Sequence, residues 1–194
     1  MKLSIRNMSV CSLFAALTAV FAQIAIPLPF SPVPFTLQVI AVLLSGALLG
    51  SKLGALSQIV YLLLGAVGMP VFSQFTAGLG ILIGPTGGYL IAFPVASYLI
   101  GFIVERKTTR GAGSLASFII VNSLAMLLGV FAIFSIGVVQ LKFVASLTWD
   151  LAFKFGVFPF ILPDLVKIAI AILLVHSLKK VLSKQSFSPK KNSL

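Results

Sequence analysis

Acidic residues, cysteine and histidine are scarce in this chain of 194 residues, which contains three Asp and Glu, one Cys and one His. The single Cys11 excludes an intramolecular disulfide and a multi-cysteine metal site. His176 has no His, Cys or acidic neighbour to complete a metal site, so we expect it to pack or to lie at a membrane interface. The three carboxylates, Glu105, Asp150 and Asp164, leave few candidates for acid–base catalysis.

The motifs of nucleotide-binding and hydrolytic enzymes are also missing. The glycine-containing segment 78–86 runs into Pro85 and Thr86, where a phosphate-binding loop has Gly-Lys-Ser/Thr, and it lacks the third glycine of a dinucleotide fingerprint. No serine lies in a nucleophile-elbow motif with a convincing base and orienting acid. We therefore expect a protein that is not an enzyme and that has no cofactor and no metal site. Without a phosphate-binding loop, it is also not expected to hydrolyse ATP by the mechanism that uses this loop.

Apolar residues dominate what is present. The chain is 59% hydrophobic and 9% charged, and its mean hydropathy is +1.17. Soluble domains are about half apolar and a quarter charged. The composition therefore predicts an all-α, polytopic protein of the lipid bilayer, with six transmembrane helices in a single membrane domain over 1–194. The predicted helices cover 8–26, 35–50, 53–68, 85–104, 114–140 and 163–182, and residues 184–194 are expected to form a disordered tail.

The net charge of +11 is explained by membrane orientation, so no nucleic-acid partner is expected. Six crossings with the amino terminus in the cytoplasm place 11 of the 14 basic residues on the inner side. The reversed topology would oppose the positive-inside bias. Both termini are thus predicted to be cytoplasmic. The inner residues are Lys2, Arg6, Lys52, Arg106, Lys107, Arg110, Lys179, Lys180, Lys184, Lys190 and Lys191.

The most informative polar pair is Asp164 and Lys167. Three residues apart on a helix, they share a face, and charged groups inside a membrane segment usually meet each other, a cavity or a ligand. A purely structural role is the alternative, because Asp164 in a first helical turn complements the helix dipole and Lys167 can neutralise it or extend towards the interface. A lysine in that turn opposes the dipole, which favours a binding role.

Two outer segments are further candidates for a binding site. The glycine-rich stretch 78–89 offers backbone amides at Gly87, the Thr86 hydroxyl and the Tyr89 phenol, although a tight turn into the next helix explains its glycines equally well. The first outer loop, 27–34, has four prolines and no charge, which indicates rigidity. Gln38, just beyond it, is suited to bonding either a polar ligand or a neighbouring helix.

A stripe of small residues on the first helix permits close approach of another helix. Packing within the chain and docking of a separate membrane subunit remain equally open as explanations. The stripe consists of Ser12, Ala15, Ala19 and Ala22.

At several of these positions the sequence resembles the BioY family, the biotin-specific S components of energy-coupling-factor (ECF) vitamin transporters. The similar stretches are Pro32 to Gln38, Tyr61 to Phe72, Gly84 to Tyr89, and Pro159-Phe160 with Asp164 and Lys167. Their joint order is specific, and together with the hydrophobic spacing they span most of the chain. Pro163 stands where the family often has glycine before the aspartate.

The resemblance implies a six-helix S component that captures biotin outside the cytoplasmic membrane of a prokaryote. It also implies a transmembrane coupling subunit and two ATPase subunits as partners. Asp164 and Lys167 would bind the polar groups of biotin, with Phe35, Phe72 and Tyr89 as apolar walls. An S component for another vitamin and a non-transporting scaffold protein are the alternatives, and homo-oligomer formation is left open.

Overall fold

The computed structural model describes residues 4–108 and 114–185, which form long helices and one β-hairpin. The helices are α1 (Ile5–Gln23), α2 (Gln38–Ala66), α3 (Leu79–Ile83), α4 (Gly87–Thr108), α5 (Leu115–Val144), α6 (Trp149–Gly156) and α7 (Phe158–Gln185). The strands are β1 (Ala25–Leu28) and β2 (Ser31–Thr36), and a 3-10 turn covers Ser73–Phe75. We call the end that carries the strands the hairpin end and the opposite end the N-terminal end.

Helix α2 folds back on itself at Gly50, where φ is 82° and the conformation is not helical. Its two halves, 38–49 and 51–66, run antiparallel, because Gln38 Nε2 donates to Tyr61 Oη at 2.6 Å and Gln58 Nε2 donates to Ser45 Oγ at 3.2 Å. At about 1.5 Å per residue, each half is shorter than the roughly 30 Å hydrocarbon layer of a bilayer. Two of the predicted helices therefore correspond to one folded-back element.

The turn at Gly50 is capped by a residue from a different helix. Glu105 of α4 accepts hydrogen bonds from the Ser51 backbone N–H at 3.0 Å and from Ser51 Oγ at 2.8 Å. A carboxylate at a helix N-terminus satisfies free backbone donors and complements the helix dipole. The position of a Cβ at Gly50 is occupied by the Glu105 carboxylate, so glycine serves both the positive φ and the close contact. This cap joins α2 to α4 at the N-terminal end.

The helices expose large apolar side chains and bury small polar ones, as expected in a bilayer. Phe131 of α5 and Leu173 of α7 are each 68% exposed, whereas Gln58 and Ser97 are fully buried. Five helices of the described part, with the folded-back α2 counted once, are long and apolar enough to span a membrane by length and composition. The exposed apolar surface is therefore suited to contact with lipid rather than with water.

The hairpin was not predicted, because the prolines of 27–34 indicated only a rigid loop. Strands β1 and β2 are antiparallel, with Ala25 opposite Thr36 and Leu28 opposite Ser31. Proline is tolerated in edge strands, and both strands of a two-stranded ribbon are edges. Ser31 Oγ donates to the Phe155 carbonyl of α6 at 2.8 Å, which fixes the hairpin against that helix.

Other boundaries differ from the sequence-based ones near the hairpin end. Helix α7 begins at Phe158, five residues before Pro163, and this proline lies inside the helix. The short α6 was not predicted; the Thr148 side chain accepts from the Leu151 N–H and caps it. Helix α7 also continues through Gln185, whereas the rest of the predicted tail, 186–194, lies outside the described residues.

The small-residue stripe of α1 is divided between the interior and the surface. Ala15 is 1% exposed and Ala22 is fully buried, so both pack inside this chain and are not available to a separate subunit. Thr18, on the same side of α1, is bonded to Gln58 of α2. Ser12 is exposed and Ala19 is half-buried, and their role in docking stays a prediction.

Candidate ligand-binding site

A cavity of about 380 Å³ opens near the hairpin end of the bundle. Its volume lies within the range of about 300–1,000 Å³ that is typical of small-molecule sites. Its wall is formed by the hairpin, by the loop that follows α2, and by helices from the amino-terminal and carboxy-terminal halves of the chain. The polar and aromatic lining residues include Thr36, Gln38, Phe72, Ser73, Gln74, Thr76, Thr86, Tyr89, Phe93, Phe160, Asp164 and Lys167.

Asp164 and Lys167 of α7 form an ion pair at the cavity, with Lys167 Nζ 2.7 Å from Asp164 Oδ1. The two residues are 3% and 4% exposed. The Lys167 ammonium also lies 4.1 Å from the centre of the Phe35 ring on β2, a favourable cation–π distance. The pair uses one carboxylate oxygen and one ammonium proton, which leaves hydrogen-bonding capacity on both groups.

A contribution to stability does not by itself account for this buried ion pair. Desolvating two charges usually costs as much as their attraction returns, so a buried pair is weak evidence for stability. Inside a membrane protein such groups generally mark a binding site or a transport path. The i, i+3 spacing of the pair on α7 and its position in the cavity wall therefore favour ligand binding.

Gln38 and Phe72 both line the cavity, and both are held by Tyr61. Gln38 accepts from Thr36 Oγ1 at 3.0 Å and donates to Tyr61 Oη, so its amide is already engaged within the protein. The Phe72 ring is 1% exposed and meets the Tyr61 ring edge-on, with centroids 5.6 Å apart. Gln38 thus braces the wall, and Phe72 forms part of its apolar surface.

The glycine-rich segment is fixed by Gln140 of α5, which donates to the carbonyls of Leu82 and Gly84 at 2.8 Å each. Thr86 and Tyr89 line the cavity. Tyr89 donates its hydroxyl proton to the Gly156 carbonyl at 2.9 Å, so its ring rather than its phenol is available.

Two of the predicted site residues do not line the cavity. The Gly87 Cβ position is occupied by the Leu82 carbonyl, and this glycine permits a close turn. Phe35 supports Lys167 from the side of β2. The part that any of the predicted residues plays in binding a ligand stays a prediction.

In the loop between α2 and α3, sequence reasoning identified Phe72 but missed the polar residues Ser73, Gln74 and Thr76, which also line the cavity. Gln74 and Phe75 adopt left-handed φ values of 58° and 57°, which are uncommon for residues other than glycine. Nothing in the local sequence indicates this left-handed backbone conformation, since neither residue is a typical turn former. The conformation is imposed from outside the loop.

Gln23 of α1 provides that constraint. Its Nε2 donates to the Phe72 carbonyl at 3.1 Å and lies 3.4 Å from the Val71 carbonyl, while its Oε1 accepts from the Phe75 N–H at 2.8 Å. Tyr61 Oη also donates to the Val71 carbonyl, at 3.2 Å. One amide side chain therefore holds both ends of the turn that shapes the cavity wall.

We expect Gln23→Leu to loosen this turn without unfolding the bundle. Hydrogen bonds of this kind contribute about 0.5–1.5 kcal/mol each, so the loss should be on the order of 1–3 kcal/mol, concentrated at 71–76. Hydrogen exchange of the Phe75 amide measures it directly and should become faster. Ser12→Ala, on the exposed face of α1, is the matched control, and unchanged protection at Phe75 in the Gln23 variant would contradict the assignment.

Taken together, the bundle and its cavity define a class: a helical membrane protein that binds a small, partly polar molecule near one membrane surface. The sequence model of the BioY family matches residues 1–184. The chain belongs to the BioY family, which confirms the resemblance deduced from its motifs.

Curated relatives and a solved structure agree with this membership. The chain is 43% identical over 175 residues to the Pyrococcus horikoshii protein named "Probable biotin transporter BioY", covering 90% of this chain and 96% of that protein. It is 41% identical over 178 residues to "Biotin transporter BioY" of Thermotoga maritima, covering 91% and 97%. The crystal structure of an S-component for biotin from an ECF-type ABC transporter superposes with a TM-score of 0.82 at 27% identity, covering 91% and 92% of the two chains. The predicted fold class, a helical S-component-like bundle, is confirmed.

Proposed function

We propose that this protein captures biotin in the cavity at the hairpin end and serves as the substrate-binding subunit of an ECF-type transporter. The observation that carries the proposal is the buried Asp164–Lys167 pair in a cavity that is otherwise lined by apolar and neutral polar groups. The names of the relatives and of the solved S-component support biotin as the ligand.

The chemistry of biotin fits this wall. Its ureido ring has two N–H donors and one carbonyl acceptor, and the ring next to it is apolar and contains sulfur. In the proposed complex, Asp164 accepts the ureido N–H groups and Lys167 donates to the ureido carbonyl. The rings of Phe72, Tyr89 and Phe93 bury the apolar part of biotin, and this burial provides most of the hydrophobic contribution to binding.

The proposed orientation places the hairpin end outside the cytoplasmic membrane and the termini inside. Arg6, Lys52 and Arg106 belong to the N-terminal end, whereas Lys142 and Lys154 lie near the hairpin end, where Asp150 is also found. The positive-inside rule supports this direction. A coupling membrane subunit and two ATPase subunits would supply the energy for uptake, and capture by this chain would be the first step.

Equilibrium binding of labelled biotin to the purified protein tests the proposed function. We expect saturable binding at one site per chain, and no binding of riboflavin or thiamine at the same concentration. Biotin should also raise the Tm, because a ligand that binds only the folded state stabilises it by an amount that grows with its concentration. Tighter binding of either of the other vitamins would replace biotin as the substrate.

A further inference from the structure

Gln74, in the loop after α2, has a side-chain amide that is not used within the protein. This residue is exposed and lines the cavity, and in the part of the chain that the structure describes its amide bonds to no other protein group. Polar groups of this kind, placed in a largely apolar wall, fix the orientation of a ligand. Four other glutamine amides, by contrast, are bonded inside the bundle; they belong to Gln23, Gln38, Gln58 and Gln140.

The backbone of Gln74 is held in a conformation that glutamine seldom adopts. Its φ of 58° and ψ of 36° are left-handed, which is unfavourable for a residue with a Cβ. Hydrogen bonds on both sides maintain it, since the Phe72 N–H donates to the Thr76 carbonyl at 3.0 Å and Gln23 accepts from the Phe75 N–H at 2.8 Å. Strained residues persist where their surroundings hold them, and they cluster at ligand-binding sites. Gln74 is therefore positioned before a ligand binds, which lowers the ordering cost of binding.

Biotin has more hydrogen-bond acceptors than the ion pair can satisfy. In the proposed complex, Asp164 accepts the ureido N–H groups and Lys167 donates to the ureido carbonyl. The carboxylate and one lone pair of that carbonyl still need donors. The hydroxyls of Thr76 and Tyr89 in the cavity wall already donate to backbone carbonyls. The Gln74 amide retains both of its N–H donors.

We propose that Gln74 is a ligand-binding residue whose side-chain amide donates a hydrogen bond to an acceptor oxygen of bound biotin. This proposal rests on the proposed function and adds a polar contact from the loop after α2 to those of Asp164 and Lys167 on α7. An acceptor that leaves water unpaired weakens binding, so a donor in the cavity wall strengthens it.

The test compares Gln74→Met and Gln74→Glu with the wild type by equilibrium binding of labelled biotin. Methionine keeps the Cβ and nearly the length of glutamine but has no N–H donor. We expect Gln74→Met to raise the Kd about 3- to 100-fold, with the upper part of this range for a bond to the carboxylate. Ionised glutamate has the shape of glutamine and only acceptors, so Gln74→Glu should lose at least as much affinity.

Phe75→Leu is the matched control in the same turn. Phe75 shares the left-handed conformation, but its side chain is 70% exposed and is not among the described residues that line the cavity. Its replacement should leave the Kd within about twofold of the wild-type value. Hydrogen exchange at the Phe75 amide should be equally slow in Gln74→Met and in the wild type, because the turn is held by backbone groups and by Gln23.

Competition by an analogue with a methyl group in place of the carboxylate identifies the acceptor. A loss in Gln74→Met that disappears with the analogue assigns the bond to the carboxylate. A loss that persists, with Phe75 exchange and the Phe75→Leu Kd unchanged, assigns it to the ureido carbonyl.

Three results would overturn the role of Gln74 in binding. They are a Kd within about twofold of the wild-type value in either Gln74 variant, a loss accompanied by faster exchange at Phe75, and an equal loss in Phe75→Leu. Failure of the wild type to bind biotin would instead overturn the proposed function.

Discussion

Asp164→Asn is expected to raise the Kd for biotin by at least about 100-fold, since hydrogen bonds to a charged group contribute about 1.5–3 kcal/mol each and this carboxylate is proposed to accept more than one. Isothermal titration or filter binding of labelled biotin measures the change. Asp150→Asn is the matched control, because Asp150 is exposed in the first turn of α6. An Asp164→Asn variant that binds biotin as tightly as the wild type would remove this carboxylate from the site.

A structural role of the ion pair has to be separated from its binding role. Asp164→Asn alone leaves the Lys167 ammonium buried beside Phe35 without its partner, which should destabilise the protein by about 3–5 kcal/mol. The double variant Asp164→Asn with Lys167→Met removes both charges. Replacing a buried pair by neutral groups is often neutral or stabilising.

We therefore expect the double variant to regain a Tm near that of the wild type and still to bind no biotin. Thermal unfolding and biotin binding are measured on the same detergent-solubilised sample. Recovery of the Tm without recovery of binding assigns the pair to the ligand. Recovery of both would mean that the charges serve only each other.

The second large effect is expected at Gly101 of α4, where a side chain has no space. A Cβ at this position falls on the backbone of Gly50 and Ser51, the turn that Glu105 caps. Backbone atoms cannot rotate away as a flexible side chain can, so the contact between α4 and α2 has to open. Gly101→Ala should lower the free energy of unfolding by about 1–3 kcal/mol, the usual cost of overpacking.

Gly80→Ala is the control for Gly101→Ala, since nothing lies within 4 Å of a Cβ at Gly80. Alanine is favoured over glycine in a helix by up to about 1 kcal/mol, so the control is expected to be neutral or slightly stabilising. Thermal unfolding of both variants measures the difference. A Gly101 variant with a wild-type Tm would show that α4 lies farther from the α2 turn than the structure places it.

Local features of the sequence were sufficient for the class and the main elements of the fold. Long apolar segments predict membrane helices, because a span depends only on length and composition. The pairing of Asp164 with Lys167 is also local, since side chains three apart on a helix are neighbours. The predicted helices 35–50 and 53–68 also leave a short turn between them, and Gly50 joins the two halves of α2 at that place.

The rotation of each helix about its axis could not be predicted, because these helices are apolar on nearly every side and their periodicity does not distinguish lipid from core. Ala15 and Ala22 were therefore grouped with Ser12, although the structure buries the first two and exposes the third. Gln23 was missed for the same reason, as its partners lie 48 to 52 residues further along the chain.

The sequence by itself determined a helical membrane protein with one strong polar pair, because hydropathy and helical spacing are properties of adjacent residues. Tertiary structure alone decided that Phe35 supports Lys167, that the loop after α2 forms a wall of the cavity, and that Gln23 holds this loop. These contacts join segments that are distant in the chain. They are selected by the packing of the whole bundle, which satisfies polar groups wherever it brings donors and acceptors together.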